Sequence, residues 1–315
     1  MNHDQQSHHD HFAHAANINA EHPHAQLLRR ATYASMSVAT VLLVAKIVAW
    51  WSTESLAMLS SLTDSLFDLV ASIINFFAVR YALKPADDDH RFGHTSIEDL
   101  AGLAQFVFIS ASMIIIILQS VERLFNPHPI ENQWLGVGVS IFAIICTTGL
   151  VLFQTYVSRK TKSLIIATDR MHYVGDVLFN LGVLVAIALS AGVGMSWADP
   201  AIAILIAVLV LWGTMPLGLR AYHNLMDREM PEAEKDKIRE IVKTMPEIKG
   251  VHNFKTRYAG AKAFIQMHVD IEAALNFREA HDITERLEHA LLAAFPTAEI
   301  IIHPDPTDAP REMMI

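Results

Sequence analysis

Residues 58–82, MLSSLTDSLFDLVASIINFFAVRYA, are long and apolar enough to cross a bilayer, yet they carry Asp64 and Asp68 in their midst. Roughly 20 apolar residues span the hydrocarbon core. A charged side chain near its centre costs about 2.5–3.5 kcal/mol on insertion scales, so such residues are rarely idle. A second apolar run, residues 165–191, carries His172 and Asp176 at the same spacing. Residues four apart share one helix face. Two such faces turned toward each other present three carboxylates and one imidazole. Those ligands suit a divalent metal such as zinc in a roughly tetrahedral cage. The pattern predicts a metal transporter.

Outward from these two runs, the hydropathy predicts six membrane spans at about residues 28–51, 58–82, 99–122, 133–157, 165–191 and 199–221. The chain is 52% hydrophobic and only 18% charged, against about a quarter charged in soluble proteins. The apolar excess ends near Arg220, so a membrane domain over 27–222 is followed by a soluble one over 223–306 and a short tail over 307–315. Arg29, Arg30, Arg80, Lys84, Arg91, Arg159, Lys160, Lys162 and Arg220 fall on one set of span ends. The opposite loops are nearly free of Lys and Arg, so both termini are expected in the cytoplasm.

After Asp227 the periodicity changes. Residues 231–245 read as an amphipathic helix, 250–258 and 262–272 as strands around an Ala-Gly-Ala turn, 277–295 as a second helix and 298–303 as a third strand, with an irregular tail from Pro304. The order αββαβ predicts a small α+β domain with its helices on one sheet face.

Two further clusters have metal-ligand character. In Asp87-Asp88-Asp89-His90-Arg91-Phe92-Gly93-His94, the residues Asp87, His90 and His94 are spaced to meet on one ion, although an acidic solvated loop would look similar. In the soluble domain His252, His268, His281, His303 and Asp305 fall at the ends of predicted elements, where a shared site is plausible for the group more than for any one histidine. The head, residues 1–26, has no apolar signal-peptide core and is rich in histidine. It is expected to be a disordered tail, as apt to be a spacer as a weak metal buffer.

The composition also narrows the function. Cys146 is the sole cysteine, so neither an intrachain disulfide nor a cysteine-rich zinc site is available. A net charge of −9 gives no support to nucleic-acid binding. No nucleotide-binding loop appears, so ATP-driven pumping has no support, and no activated nucleophile suggests an enzyme. Carboxylates withdrawn from water tend to hold protons, and metal ligands bind deprotonated, so metal binding would expel protons. A membrane metal sensor that binds without translocating is the rival reading.

With these residues in view, the chain resembles the cation diffusion facilitator family. The likeness lies in Ser60 to Asp68, Lys84 to His94, Met171-His172-Tyr173-Val174-Gly175-Asp176, Leu225 to Arg228, Gly250-Val251-His252 and Ile301 to Pro306, and runs from about Leu27 to Asp305. It implies a homodimer in a bacterial inner membrane whose protomers have six helices and a cytoplasmic ferredoxin-like domain. Such a protein exchanges cytoplasmic Zn2+, or alternatively Cd2+ or Fe2+, for protons by alternating access. It also implies a transport site at Asp64, Asp68, His172 and Asp176, a loop site at Asp87, His90 and His94, and a cytoplasmic cluster at His252, His268, His281, His303 and Asp305. Two positions depart from the usual pattern. Thr95-Ser96-Ile97-Glu98 follows His94 in place of Gly-Lys-Ala-Glu, removing a lysine expected to serve the dimer contact near Asp227, and Pro304 replaces Gln.

Overall fold

The structure, a computed structural model, describes residues 24–53, 56–126, 133–193, 195 and 197–308. The histidine tract up to residue 23 lies outside the described residues. Six helices are long and apolar enough to cross a membrane: α1 (Ala25–Thr53), α2 (Leu56–Ala82), α3 (Ile97–Phe125), α4 (Gln133–Thr161), α5 (Leu164–Val193) and α6 (Ala198–Leu225). They coincide with the six predicted spans, most running several residues longer at one or both ends.

Within this unit α1 packs along α2, and α4 along α5, over much of their lengths. Small residues set the closest approaches. A Cβ on Gly218 of α6 would lie 2.4 Å from the Phe106 ring of α3, and one on Gly182 of α5 would lie 2.7 Å from Ile206 of α6. Many large apolar side chains, Trp212 and Phe77 among them, face outward. That is the distribution expected when lipid, and not water, surrounds a bundle. Asp199 sits in the first turn of α6 just ahead of Pro200, whose missing N–H costs nothing there.

The second unit follows as α7 (Glu232–Lys243), β1 (Gly250–Ala259), β2 (Lys262–Glu272), α8 (Phe277–Ala294) and β3 (Glu299–Thr307), the αββαβ order of a ferredoxin-like domain. The sheet order is β1-β2-β3, antiparallel then parallel. Alternate β2 residues Ile265, Met267, Val269 and Ile271 enter one core with Ile238 and Val242 of α7 and Leu287 and Leu291 of α8. Helix α8 starts cleanly because Asn276 and Glu279 exchange side-chain and backbone hydrogen bonds in a capping box. Asp227, at φ 54°, pairs with Arg257 at 3.0 Å.

The expected irregular tail from Pro304 is corrected by the structure: β3 continues to Thr307, pairing Pro304 with Val269 and Pro306 with Ile271. The prolines misled because proline cannot donate to a ladder. β3 is an edge strand, however, and residues two apart point their N–H positions to the same side, so both gaps fall on the open edge.

Candidate metal centres

In the membrane unit, α2 carries Asp68 and α5 carries His172 and Asp176. His172 Nε2 lies 3.0 Å from Asp68 Oδ1 and 3.7 Å from Asp176 Oδ2. Ligand atoms of the three residues lie within 4.8 Å of one another. The spacing of four brings His172 and Asp176 together along α5, while Asp68 approaches from the other helix. One imidazole nitrogen thus faces two carboxylates, and whatever occupies its lone pair, a proton or a metal, is shared with both. Asp64 is not in this group; it stands one turn from Asp68 on α2, about 6 Å along the axis, with its side chain exposed.

The loop between α2 and α3 folds back on itself at Gly93, whose φ of +85° is costly for any other residue. The turn gathers Asp87, His90 and His94. Asp87 Oδ1 accepts the backbone N–H of His90 at 2.9 Å and faces His90 Nδ1 at 3.2 Å. His94 Nδ1 faces the Lys84 carbonyl oxygen at 3.3 Å, which can only accept, so Nδ1 carries the hydrogen. That leaves His94 Nε2 toward Asp87 Oδ2, 3.3 Å away. Nε2 is buried with no hydrogen-bond partner among the described residues. In the neutral ring that nitrogen holds a lone pair, and a cation between it and the carboxylate oxygen satisfies both, so these residues fit a metal. Lys84 competes for the same oxygen at 2.5 Å, and its hydrogen bond holds the Asp87 carboxyl well below the usual range while raising the pKa of Lys84.

In the second unit, strand register assembles the third group. His252 pairs with His268 and His268 with His303, so three imidazoles form a row across the sheet. Ring centroids are 5.1 and 4.6 Å apart, the spacing of neighbouring strands. The extension of β3 places Asp305 against all three. Its Oδ2 lies 3.2 Å from His252 Nε2 and 2.9 Å from His268 Nδ1, and its Oδ1 lies 3.3 Å from His303 Nε2. The hydrogen bond from His268, reinforced by the charges of His303 and the others, lowers the Asp305 pKa. His252, His268 and Asp305 form the convergent set, with His303 joined to it through Asp305. His281 is outside the set, exposed on α8 and stacked on Phe277 at 6.4 Å.

Two residues escaped the sequence reading. Asp270, 1% exposed, lies 3.5 Å from His252 Nδ1 and so faces the nitrogen opposite Asp305. Asp169, equally buried on α5, anchors a polar network one turn before His172. The signal for Asp169 was present: a second acidic residue in the apolar run that bears His172 and Asp176.

The chain matches two family models, the cation efflux transmembrane domain over residues 32–226 and the cation efflux protein cytoplasmic domain over residues 230–307. It is 42% identical to the cation-efflux pump FieF of Salmonella paratyphi A over 288 residues, covering 91% of this chain and 96% of the relative. FieF of Salmonella arizonae is 42% identical over 289 residues, with the same coverage. Among solved structures, CzrB in its Zn form is 32% identical and covers 25% of this chain and 90% of that one, with a TM-score of 0.24.

Proposed function

The chain belongs to the cation efflux family, and from that premise we propose that it is a proton-coupled antiporter exporting divalent metal, Zn2+ first and Cd2+ or Fe2+ as alternatives, from the cytoplasm. It works as a homodimer in a bacterial inner membrane with both termini cytoplasmic. The travelling ion binds Asp68, His172 and Asp176, with Asp64 as the fourth ligand one turn away. The observation that carries this reading is the meeting of Asp68 with His172 and Asp176 between two membrane-crossing helices.

Exchange follows from competition at one atom. A proton on His172 Nε2 is held by Asp68 at 3.0 Å and lies near Asp176 at 3.7 Å. A metal takes the same lone pair and both carboxylates, so its binding releases the proton. Protonation from the far side reverses the exchange, and alternating access keeps the two events on opposite sides. The loop set Asp87, His90 and His94 and the cluster His252, His268, His303 and Asp305, with His281 at its margin, bind metal without transporting it.

Zinc, cadmium, ferrous iron and manganese flux into proteoliposomes under an imposed proton gradient tests this. Zinc flux abolished by Asp68→Ala is expected, and full flux from that variant overturns the site. The C-terminal cluster favours a second reading, a metal sensor that binds without moving the ion; tight zinc binding with no vectorial flux would select it.

A further inference from the structure

Asp169 is 1% exposed, and its partners Ser35, Asn75, Gln105 and Gln154 are all 6% exposed or less. They come from five helices, α1 to α5. Oδ1 accepts from Asn75 Nδ2 at 2.9 Å and from Gln105 Nε2 at 3.2 Å. Oδ2 accepts from Gln154 Nε2 at 2.6 Å and from the Ser35 hydroxyl. The partners also bond one another, Gln154 Nε2 to Ser35 Oγ at 2.8 Å and Asn75 Nδ2 to Gln105 Oε1 at 3.1 Å. Every neighbour therefore turns a donor inward, the arrangement a carboxylate anion accepts. Gln154 Oε1 is left buried with no hydrogen-bond partner among the described residues. Turning that amide over to relieve it would set oxygen against oxygen at Oδ2.

The network continues toward the cation site in layers. Four residues on from Asp169, the Tyr173 hydroxyl meets Ser72 Oγ at 2.9 Å and reaches the Ser35 carbonyl oxygen at 3.4 Å. Ser72 is in turn four residues on from Asp68. Helices α2 and α5 thus face each other through Asn75–Asp169, then Ser72–Tyr173, then Asp68–His172. The first layer is the one tied to all of the first five helices. It sets the rotation of α5 about its own axis, and with it the direction in which His172 and Asp176 point. A few degrees of rotation at the helix axis move a side-chain nitrogen by an appreciable part of a coordination distance.

We propose that Asp169 is a positioning residue for the transported cation: its carboxylate, held by donors from four other helices, fixes α5 so that His172 and Asp176 face Asp68. The proposal rests on the reading of those three residues as the transport site. Ordinary helix adhesion needs one or two such bonds and makes no demand on their polarity. A charge-matched hub does, and polarity is what the test addresses.

Full-length protein in proteoliposomes supplies the readout, zinc flux as a function of zinc concentration. Asp169→Asn sets an amide donor against inward-facing donors. It is expected to raise the KM for zinc about tenfold or more, the usual effect of disturbing groups that orient metal ligands, while maximal flux falls less than about threefold. The double variant Asp169→Asn with Gln154→Glu returns one carboxylate to the hub from α4, and is expected to bring KM back to within about threefold of the parent. An Asp169→Asn KM within about twofold of the parent, a loss confined to maximal flux, or a double variant no better than the single overturns the proposal. If Asp169→Asn does not purify folded, Asn75→Leu and Gln154→Leu, each removing one donor, carry the test: KM raised about threefold in both supports it, and an unchanged KM in either overturns it. Asp68→Ala, run alongside, separates the two claims. Normal flux from Asp68→Ala sinks the transport site itself, whereas a dead Asp68→Ala beside an unaffected Asp169→Asn sinks only the positioning role.

Discussion

The membrane unit and the C-terminal unit each bring histidine and aspartate together, but on scaffolds of different stiffness. In the sheet, His252, His268 and His303 are fixed by backbone hydrogen bonds between neighbouring strands, and Asp305 is carried on the same ladder. Separating those side chains would break backbone pairing. Between α2 and α5 no backbone bond is at stake. Asp68 meets His172 through side chains alone, and the helices can shift with only side-chain contacts changing. One scaffold is suited to holding an ion, the other to receiving and surrendering it. On the proposed function, the same side chains thus acquire a different role from the element that carries them.

Variants break or sharpen this contrast in descending order of effect. His172→Ala removes the one nitrogen shared by Asp68 and Asp176, so zinc flux at sub-saturating metal should drop by more than about 100-fold, exceeding what loss of an orienting partner alone costs. Zinc titration of the same variant should leave C-terminal binding intact; loss of both would mean the two sites are not separate. Asp305→Ala removes the carboxylate that faces three histidines. Calorimetric zinc affinity of the C-terminal cluster should fall about tenfold or more, with flux changed less than about threefold.

Lys84→Ala acts in the opposite direction. It frees Asp87 from its 2.5 Å ammonium partner, and zinc should bind the loop about threefold more tightly in competition dialysis, the scale of an exposed ion pair. Unchanged or weaker binding would place Lys84 outside the competition. Two further variants address α8. Asn276→Ala removes the capping box and should lower the stability of the C-terminal unit by about 1 kcal/mol in thermal unfolding, while His281→Ala leaves cluster affinity within about twofold. A large affinity loss in His281→Ala would restore it to the ligand set.

Much of this was legible in the sequence because local patterns dictate it. Each span announces itself by unbroken apolar length, and the pairs Asp64/Asp68 and His172/Asp176 fix their own helix faces by spacing. The αββαβ order came from alternation and turn residues. What was not legible depends on partners distant along the chain. Asp169 reads as one more acidic residue until Ser35, Asn75, Gln105 and Gln154, lying 134, 94, 64 and 15 residues away, close around it. Register across three strands was equally hidden: spacing alone does not show that His252, His268 and His303 stand side by side or that Asp305 reaches all three. The two prolines of β3 obscured its end, because edge position is a property of the sheet and cannot be read from the strand.

The central claim is that protons and metal compete for His172 Nε2 between Asp68 and Asp176, and that this competition drives transport. Recording zinc and proton movement at once, with a zinc dye and a pH dye inside the same proteoliposomes, tests it most directly. Zinc entry matched by proton exit, with both abolished in Asp68→Ala, is the predicted result. Zinc flux indifferent to the proton gradient, or proton exit that persists in Asp68→Ala, would contradict it.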